Sequence, residues 1–267
     1  MAALPAGAGR LIIDGPQPGS WNMAADESLL EAAADGQVSL RFYEWSEPTV
    51  SLGYFQPLAS RVNHAASAQC VLVRRASGGG ALIHDVPGVD LTYSVAVPDD
   101  LRSAGLQAEL YRVMHVSLVE VLVSLGVTAH RHRPANSADG DVGCGQLNQH
   151  PVHAPFLCFQ RHTDGDVLIG HDKVLGSAQR RGRGALLQHG SVLLSESRFA
   201  PELPGVAQLT GIRVPPASEL IQRWLQALHS LWPIDWHRDH DWPATQRERI
   251  ELILEQKFNA AAWRDRR

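Results

Sequence analysis

The chain has 267 residues, 44% of them hydrophobic and 19% charged, with a formal net charge of -4. That length suits one large domain or a domain with a small appendage, and the low charged fraction argues against long disordered stretches. A nucleic-acid partner is excluded by the missing basic excess, and a membrane span by the lack of about 18 consecutive apolar residues. The N-terminal MAALPAGAGRLIIDG lacks the charged start and long apolar run of a secretory leader. Cys70, Cys144 and Cys158 match neither a disulfide framework nor a zinc spacing, which suits a reduced, cytoplasmic setting.

In chain order, residues 1–10 read as a loose tail and 11–13 as a short strand. Asn22–Ala34 reads as a helix stopped by Gly36, with Met23, Leu29 and Leu30 on one face. Residues 38–45 and 49–54 read as strands joined at Pro48, and 70–75 as a strand running into three glycines. Residues 90–97 alternate as a strand, and 106–125 form the clearest amphipathic helix, closed by Gly126. Residues 134–155 read as a long loop. Four strand-like segments follow at 156–160, 165–169, 172–179 and 185–194, then helices near 218–231 and 245–263. Runs of strands with helices between and after them predict an α+β class.

The segment RRASGGGALIHD, residues 74–85, is the first candidate site. Consecutive glycines expose backbone N–H groups and let a ligand approach closely, although the P-loop spacing is absent. Arg74, Arg75, Ser77, His84 and Asp85 crowd donors and titratable groups around it. Cys158 lies in the apolar FLCFQ, where a buried structural thiol is the commoner fate. Lys173 follows one short hairpin later; a nearby ammonium favours the thiolate that attacks a thioester. Cys70 reads as a packing residue, and Cys144 has no lysine near it in sequence. Gly176, Ser177 and Ala178 leave room for an acyl chain, and Gln179 and His189 can orient carbonyls. Arg180, Arg181 and Arg183 read either as a solvated hairpin tip or as a docking point for an acidic partner. His130, His132, His150 and His153 with Cys144 have no recognised metal spacing, so no metal site is expected.

Taken together, NMAADESLL, LRFYEWSEPTVSLGYFQ, RRASGGGALIHD, LTYSVAVP, DKVLGSAQRR and LLQHGSVLL resemble the biotin/lipoate protein ligase superfamily over roughly residues 20–210. The resemblance is nearest to its octanoyltransferase branch. It implies a mixed β-sheet flanked by helices, divided as a tail and first strand (1–20), a catalytic domain (21–210) and a C-terminal helical segment packed on it (211–267). It implies that Arg75, Ser77, Gly78, Gly79, Gly80 and His84 line an acyl or acyl-adenylate pocket, with Gly176, Ser177, Ala178, Gln179, His189 and Gly190 as the neighbouring wall. Cys158 matches the acyl-accepting cysteine and Lys173 the lysine at the acyl carbonyl. Two departures stand out: Gly80 replaces an arginine frequent in that branch, and HDVPGVDLTYS is longer than the usual turn.

The implied activity moves an octanoyl or lipoyl group from acyl carrier protein, through a Cys158 thioester, to a lysine of an apo lipoyl domain or glycine cleavage H protein. Such a transferase needs no cofactor; Lys173 or His84 would take the proton of the accepting amine. The rival is an ATP- and Mg2+-dependent lipoate–protein ligase working through an adenylate. Amidotransfer between lipoyl proteins and a non-catalytic acyl-binding protein are further alternatives.

Overall fold

The computed structural model describes residues 3–99, 105–134 and 155–266. Chain order runs β1 (Ala8–Ile13), α1 (Gly19–Ala34), β2 (Ser39–Tyr43), β3 (Thr49–Leu52), β4 (Val71–Arg74), β5 (Leu82–His84) and β6 (Asp90–Pro98). Next come α2 (Leu106–Ser124), β7 (Ala129–Arg131), β8 (Val167–Ile169), β9 (Asp172–Gly182) and β10 (Ala185–Leu193). The rest is α3 (Val206–Thr210), α4 (Ala217–Leu231), β11 (Asp235–Asp239), α5 (Ala244–Ile253) and α6 (Ala261–Arg264).

Two sheets form. The larger has the order β11-β1-β2-β6-β10-β9-β8-β7 and the smaller the order β4-β3-β5. Parallel pairs (β11 with β1, β1 with β2, β3 with β4) join antiparallel ones, so both sheets are mixed and the class is α+β. Pleating sorts the side chains. Leu91, Tyr93, Val95 and Val97 of β6 meet Leu110, Met114 and Leu118 of α2 and Trp224 of α4. Ala96 between them meets a second cluster formed by Met23, Leu29 and Ala33 of α1 and Ile250 and Ile253 of α5. A third cluster under the small sheet takes Val50, Leu52, Ile83, Phe156 and Leu157.

Three segments differ from their sequence reading. Residues 156–160 are not a strand: Leu157 makes one isolated bridge with Ala81, and Cys158–Gln160 turn as a 3-10 helix. The apolar run of FLCFQ is buried by packing against the small sheet rather than by a ladder. The strands flanking Pro48 enter different sheets, so that turn is a crossing point. The segment after residue 211, read as helical, also supplies β11, which pairs Asp235–Asp239 with Ala8–Ile12 of β1. Among the described residues, no helix is long and apolar enough to cross a membrane.

Candidate active site

The site lies where the small sheet meets β6, β9 and β10, and it begins with Arg75. Its side chain is buried and, among the described residues, has no carboxylate partner. Nη1 donates to the Ser51 carbonyl at 2.6 Å and to Ser51 Oγ at 3.2 Å. Nη2 donates to the carbonyls of Gly78 at 2.8 Å and Gly80 at 2.7 Å. Burial brings its pKa down to about 10, with Cys158 opposing the shift and Arg161 adding to it. Two loop carbonyls are thereby turned onto one guanidinium. Among the described residues, the N–H groups of Gly78, Gly79 and Gly80 meet no acceptor. Gly79 takes φ +95°, a conformation that glycine reaches without strain.

The Cys158 turn is stitched to this loop. Ala81 N–H donates to the Phe156 carbonyl at 3.0 Å, and Cys158 N–H donates to the Ala81 carbonyl at 2.8 Å. The half-buried Cys158 is free, and its Sγ would lie 3.9 Å from a Cβ on Gly79. Cys70 is also free but buried, and burial pushes its thiol up. Cys144, His150 and His153 lie outside the described residues. No group of metal-binding side chains is found among the described ones.

Lys173 is buried, and its Nζ lies 2.7 Å from Asp166 Oδ2. It touches the Cys158 turn twice, at the Arg161 carbonyl (3.4 Å) and over the Phe159 ring (5.3 Å from the centroid). A Cβ on Gly176 would sit 2.6 Å from that Nζ, so any larger residue there would push the lysine end aside. Asp166 gathers further donors: Tyr111 OH at 2.8 Å, Thr163 N–H at 2.7 Å and Thr163 Oγ at 3.0 Å.

Beside Cys158 opens a cavity of about 60 Å³. Of the residues expected from sequence it gathers Arg75, Gly79, His84 and Cys158 on one side, and Gly176, Ser177, Ala178, His189 and Gly190 on the other. Ser77, Gly78, Gly80, Lys173 and Gln179 stand behind this wall. Ser77 Oγ–H donates to His189 Nε2 at 2.5 Å, while His189 Nδ1–H donates to Asp26 at 2.9 Å. Gln179 donates to the Gln107 carbonyl and to Gln188. A Cβ on Gly80 would stand 2.5 Å from Arg161 Nη2, so that guanidinium already fills the room a side chain would need there.

Two histidine–carboxylate pairs face the cavity. His84 stacks on Trp45 at 3.7 Å and donates from Nδ1 to Asp90 at 2.7 Å; its Nε2 accepts from Ser51 Oγ at 3.1 Å. Burial holds His84 below the ordinary histidine value, against the pull of Asp90, so the ring is neutral. His189 rests on Asp26. Burial alone would raise the Asp26 carboxyl, but His189 and the fully buried Arg41 outweigh it and keep it ionised. The sequence reading missed Asp26, Asp90, Asp166 and His115. A charged residue inside the apolar run of α1, and a histidine on the buried face of α2, were the available signals.

The basic segment at 180–183 is largely spoken for. Arg181 pairs with the buried Asp99, Arg183 with Glu31 at 3.2 Å, and Arg180 donates to the Ala76 carbonyl at 3.0 Å. Arg183 is the exposed member of the three, as a solvated hairpin tip requires, while Arg181 is partly covered and Arg180 is turned onto the chain.

A thiol, unbonded N–H groups, a buried guanidinium and a cavity thus meet on an α+β scaffold. Residues 18–202 match the family model of the lipoyl protein ligase A/B catalytic domain, and the chain belongs to that family. It is 40% identical over 199 residues to an octanoyltransferase LipM of Kyrpidia tusciae, covering 72% of this chain and 69% of that one. It is 37% identical over 189 residues to the octanoyltransferase LipM of Symbiobacterium thermophilum, covering 69% and 65%. These matches span about two thirds of each relative. Among solved structures, a lipoate-protein ligase A bound with ATP superposes with TM-score 0.72 at 22% identity, covering 97% of this chain and 98% of that one. A bipartite lipoate protein ligase from Thermoplasma acidophilum gives 0.71 at 20%, covering 97% and 96%. Both show the shared fold.

Proposed function

We propose that this chain is an octanoyltransferase that loads an octanoyl group onto Cys158 and passes it to a protein lysine. The observation that carries this reading is the free, half-buried Cys158 lining the cavity beside Gly79 and the Arg75 guanidinium. The names of the relatives support the same activity.

The donor is octanoyl acyl carrier protein. The Cys158 thiolate attacks the thioester carbonyl, forming a new carbon–sulfur bond, and the carrier thiolate leaves with the old one. The unbonded N–H groups of Gly78–Gly80 receive the oxyanion, and Arg75 supplies positive charge from behind. Lys173, fixed by Asp166, holds the cysteine turn and places a second cation one glycine away from the cavity. In the second step the lysine amine of an apo lipoyl domain or glycine cleavage H protein attacks the Cys158 thioester. Its proton passes through the Ser51 hydroxyl to His84 Nε2, with Asp90 balancing the charge, and Cys158 thiolate is released. A thioester is already activated, so neither ATP nor Mg2+ takes part. The required free thiol suits a reducing compartment such as the cytoplasm.

Intact-mass measurement tests this. Wild-type protein mixed with octanoyl carrier protein, without ATP, should gain one octanoyl group that Cys158→Ala does not gain. An equal adduct on Cys158→Ala, or turnover only with ATP and free lipoate accompanied by pyrophosphate release, would replace this reading with the ligase.

A further inference from the structure

Nearly every side chain around the cavity is fixed. Tyr43 OH is held by Asp26 at 3.0 Å, and Trp45 Nε1 by Thr92 Oγ at 2.9 Å. Ser177 Oγ lies between His115 Nε2 and Tyr93 OH, each at 2.7 Å. His115 donates from Nδ1 to the Gly165 carbonyl at 2.8 Å, so its Nε2 must accept, and Ser177 has one allowed direction. Ser191 is bound to Asp90 at 2.7 Å, and the glycines have nothing to trim. Three apolar side chains on the lining carry no such restraint, Met23, Leu82 and Ala178, and the Ala178 methyl has no rotamer to change. Leu82 is half-buried, whereas Met23 is 4% exposed and belongs, with Tyr43 and Trp45, to the apolar cluster under α1. Cys158 belongs to neither this cluster nor the buried set, so it marks the open end and Met23 the closed one.

From this geometry we infer that Met23 sets the length of acyl chain the enzyme accepts. The inference rests on the octanoyltransferase reading and adds its specificity element. With the carbonyl at Cys158, the chain runs past Gly176 and Gly190 and its terminal methyl meets the Met23 thioether. Met23 is the buried and most adaptable of these apolar side chains in a wall otherwise locked by hydrogen bonds, and its loss or enlargement moves the end of the cavity without touching the reacting atoms. A single methylene in an apolar site discriminates by about 10–200-fold.

The experiment measures the rate of Cys158 loading, by intact mass, from carrier-protein thioesters of hexanoyl, octanoyl, decanoyl and dodecanoyl chains. Met23→Ala should raise the decanoyl-to-octanoyl ratio by about 10-fold or more, and Met23→Trp should move the preference to hexanoyl. Met23→Leu, of similar volume, should keep the wild-type order. Ratios within one variant are insensitive to its fraction folded. Unchanged ratios in both Met23→Ala and Met23→Trp, with Cys158 still loading, would overturn the inference. Absence of any loading in the wild type would instead sink the transferase reading.

Discussion

Replacing Asp166 with Asn keeps its shape and removes its charge. In the native chain four donors converge on this carboxylate: Lys173 Nζ, Tyr111 OH, Thr163 N–H and Thr163 Oγ. Asn offers one acceptor oxygen and turns an NH2 against the remaining donors. The side chains of Asp166 and Lys173 are 0% and 3% exposed, so Lys173 is left as a buried charge with only the Arg161 carbonyl at 3.4 Å. Removing one partner of a buried pair costs about 3–5 kcal/mol. At roughly 2–4 °C per kcal/mol for a chain of this size, the melting temperature should fall by roughly 6–20 °C. Lys173→Met should be milder, because Asp166 keeps three donors. Adding Lys173→Met to Asp166→Asn should recover part of the loss, since the orphaned charge is gone. Urea denaturation of the two single variants and the double variant gives the coupling energy directly. A loss under about 1 kcal/mol for Asp166→Asn, or a double variant no more stable than Asp166→Asn alone, would refute the account of Lys173 as a buried cation dependent on this carboxylate.

Gly190→Ala puts a Cβ 2.2 Å from Ser177 Oγ and 2.8 Å from the Gly176 carbonyl oxygen; backbone must move, at about 1–3 kcal/mol, seen as a lower urea midpoint. Arg75→Lys keeps the charge but cannot grip the Gly78 and Gly80 carbonyls together, so Cys158 loading should slow on the order of 100-fold with little change in the acceptor step. Burial takes His115 down to about 3 from its ordinary 6.5. The unfolded chain therefore binds one more proton between those values. The stability that the neutral ring contributes is full above about pH 6.5 and is lost as pH falls, at about 1.4 kcal/mol per unit. His115→Gln should flatten the stability profile between pH 6 and 4, and an identical slope in unfolding titrations would count against that.

What could be read from the chain was local. The heptad-like spacing of α2, the glycine run after β4 and the small-residue strand at 176–178 all announce themselves within a dozen residues. Pairing across the fold did not. The spacing of Cys158 and Lys173 places an ammonium at the cysteine turn but does not show its pairing with Asp166, which sits in a polar turn with no visible claim on it. Arg75 is also brought beside the glycine loop and Cys158, since four carbonyl and hydroxyl contacts from Ser51, Gly78 and Gly80 draw it inward. DWHRD carries no alternating apolar pattern, so β11 is legible only once β1 is there to pair with it.

Arg74 Nε donates to the Arg264 carbonyl at 2.8 Å, and Trp263 Nε1 donates to the Arg74 carbonyl at 2.8 Å. The final helix is thus buttoned, in both directions, to the residue one peptide before Arg75. A cut between residues 263 and 264 would free the Arg74 backbone that leads into the triple-glycine bend.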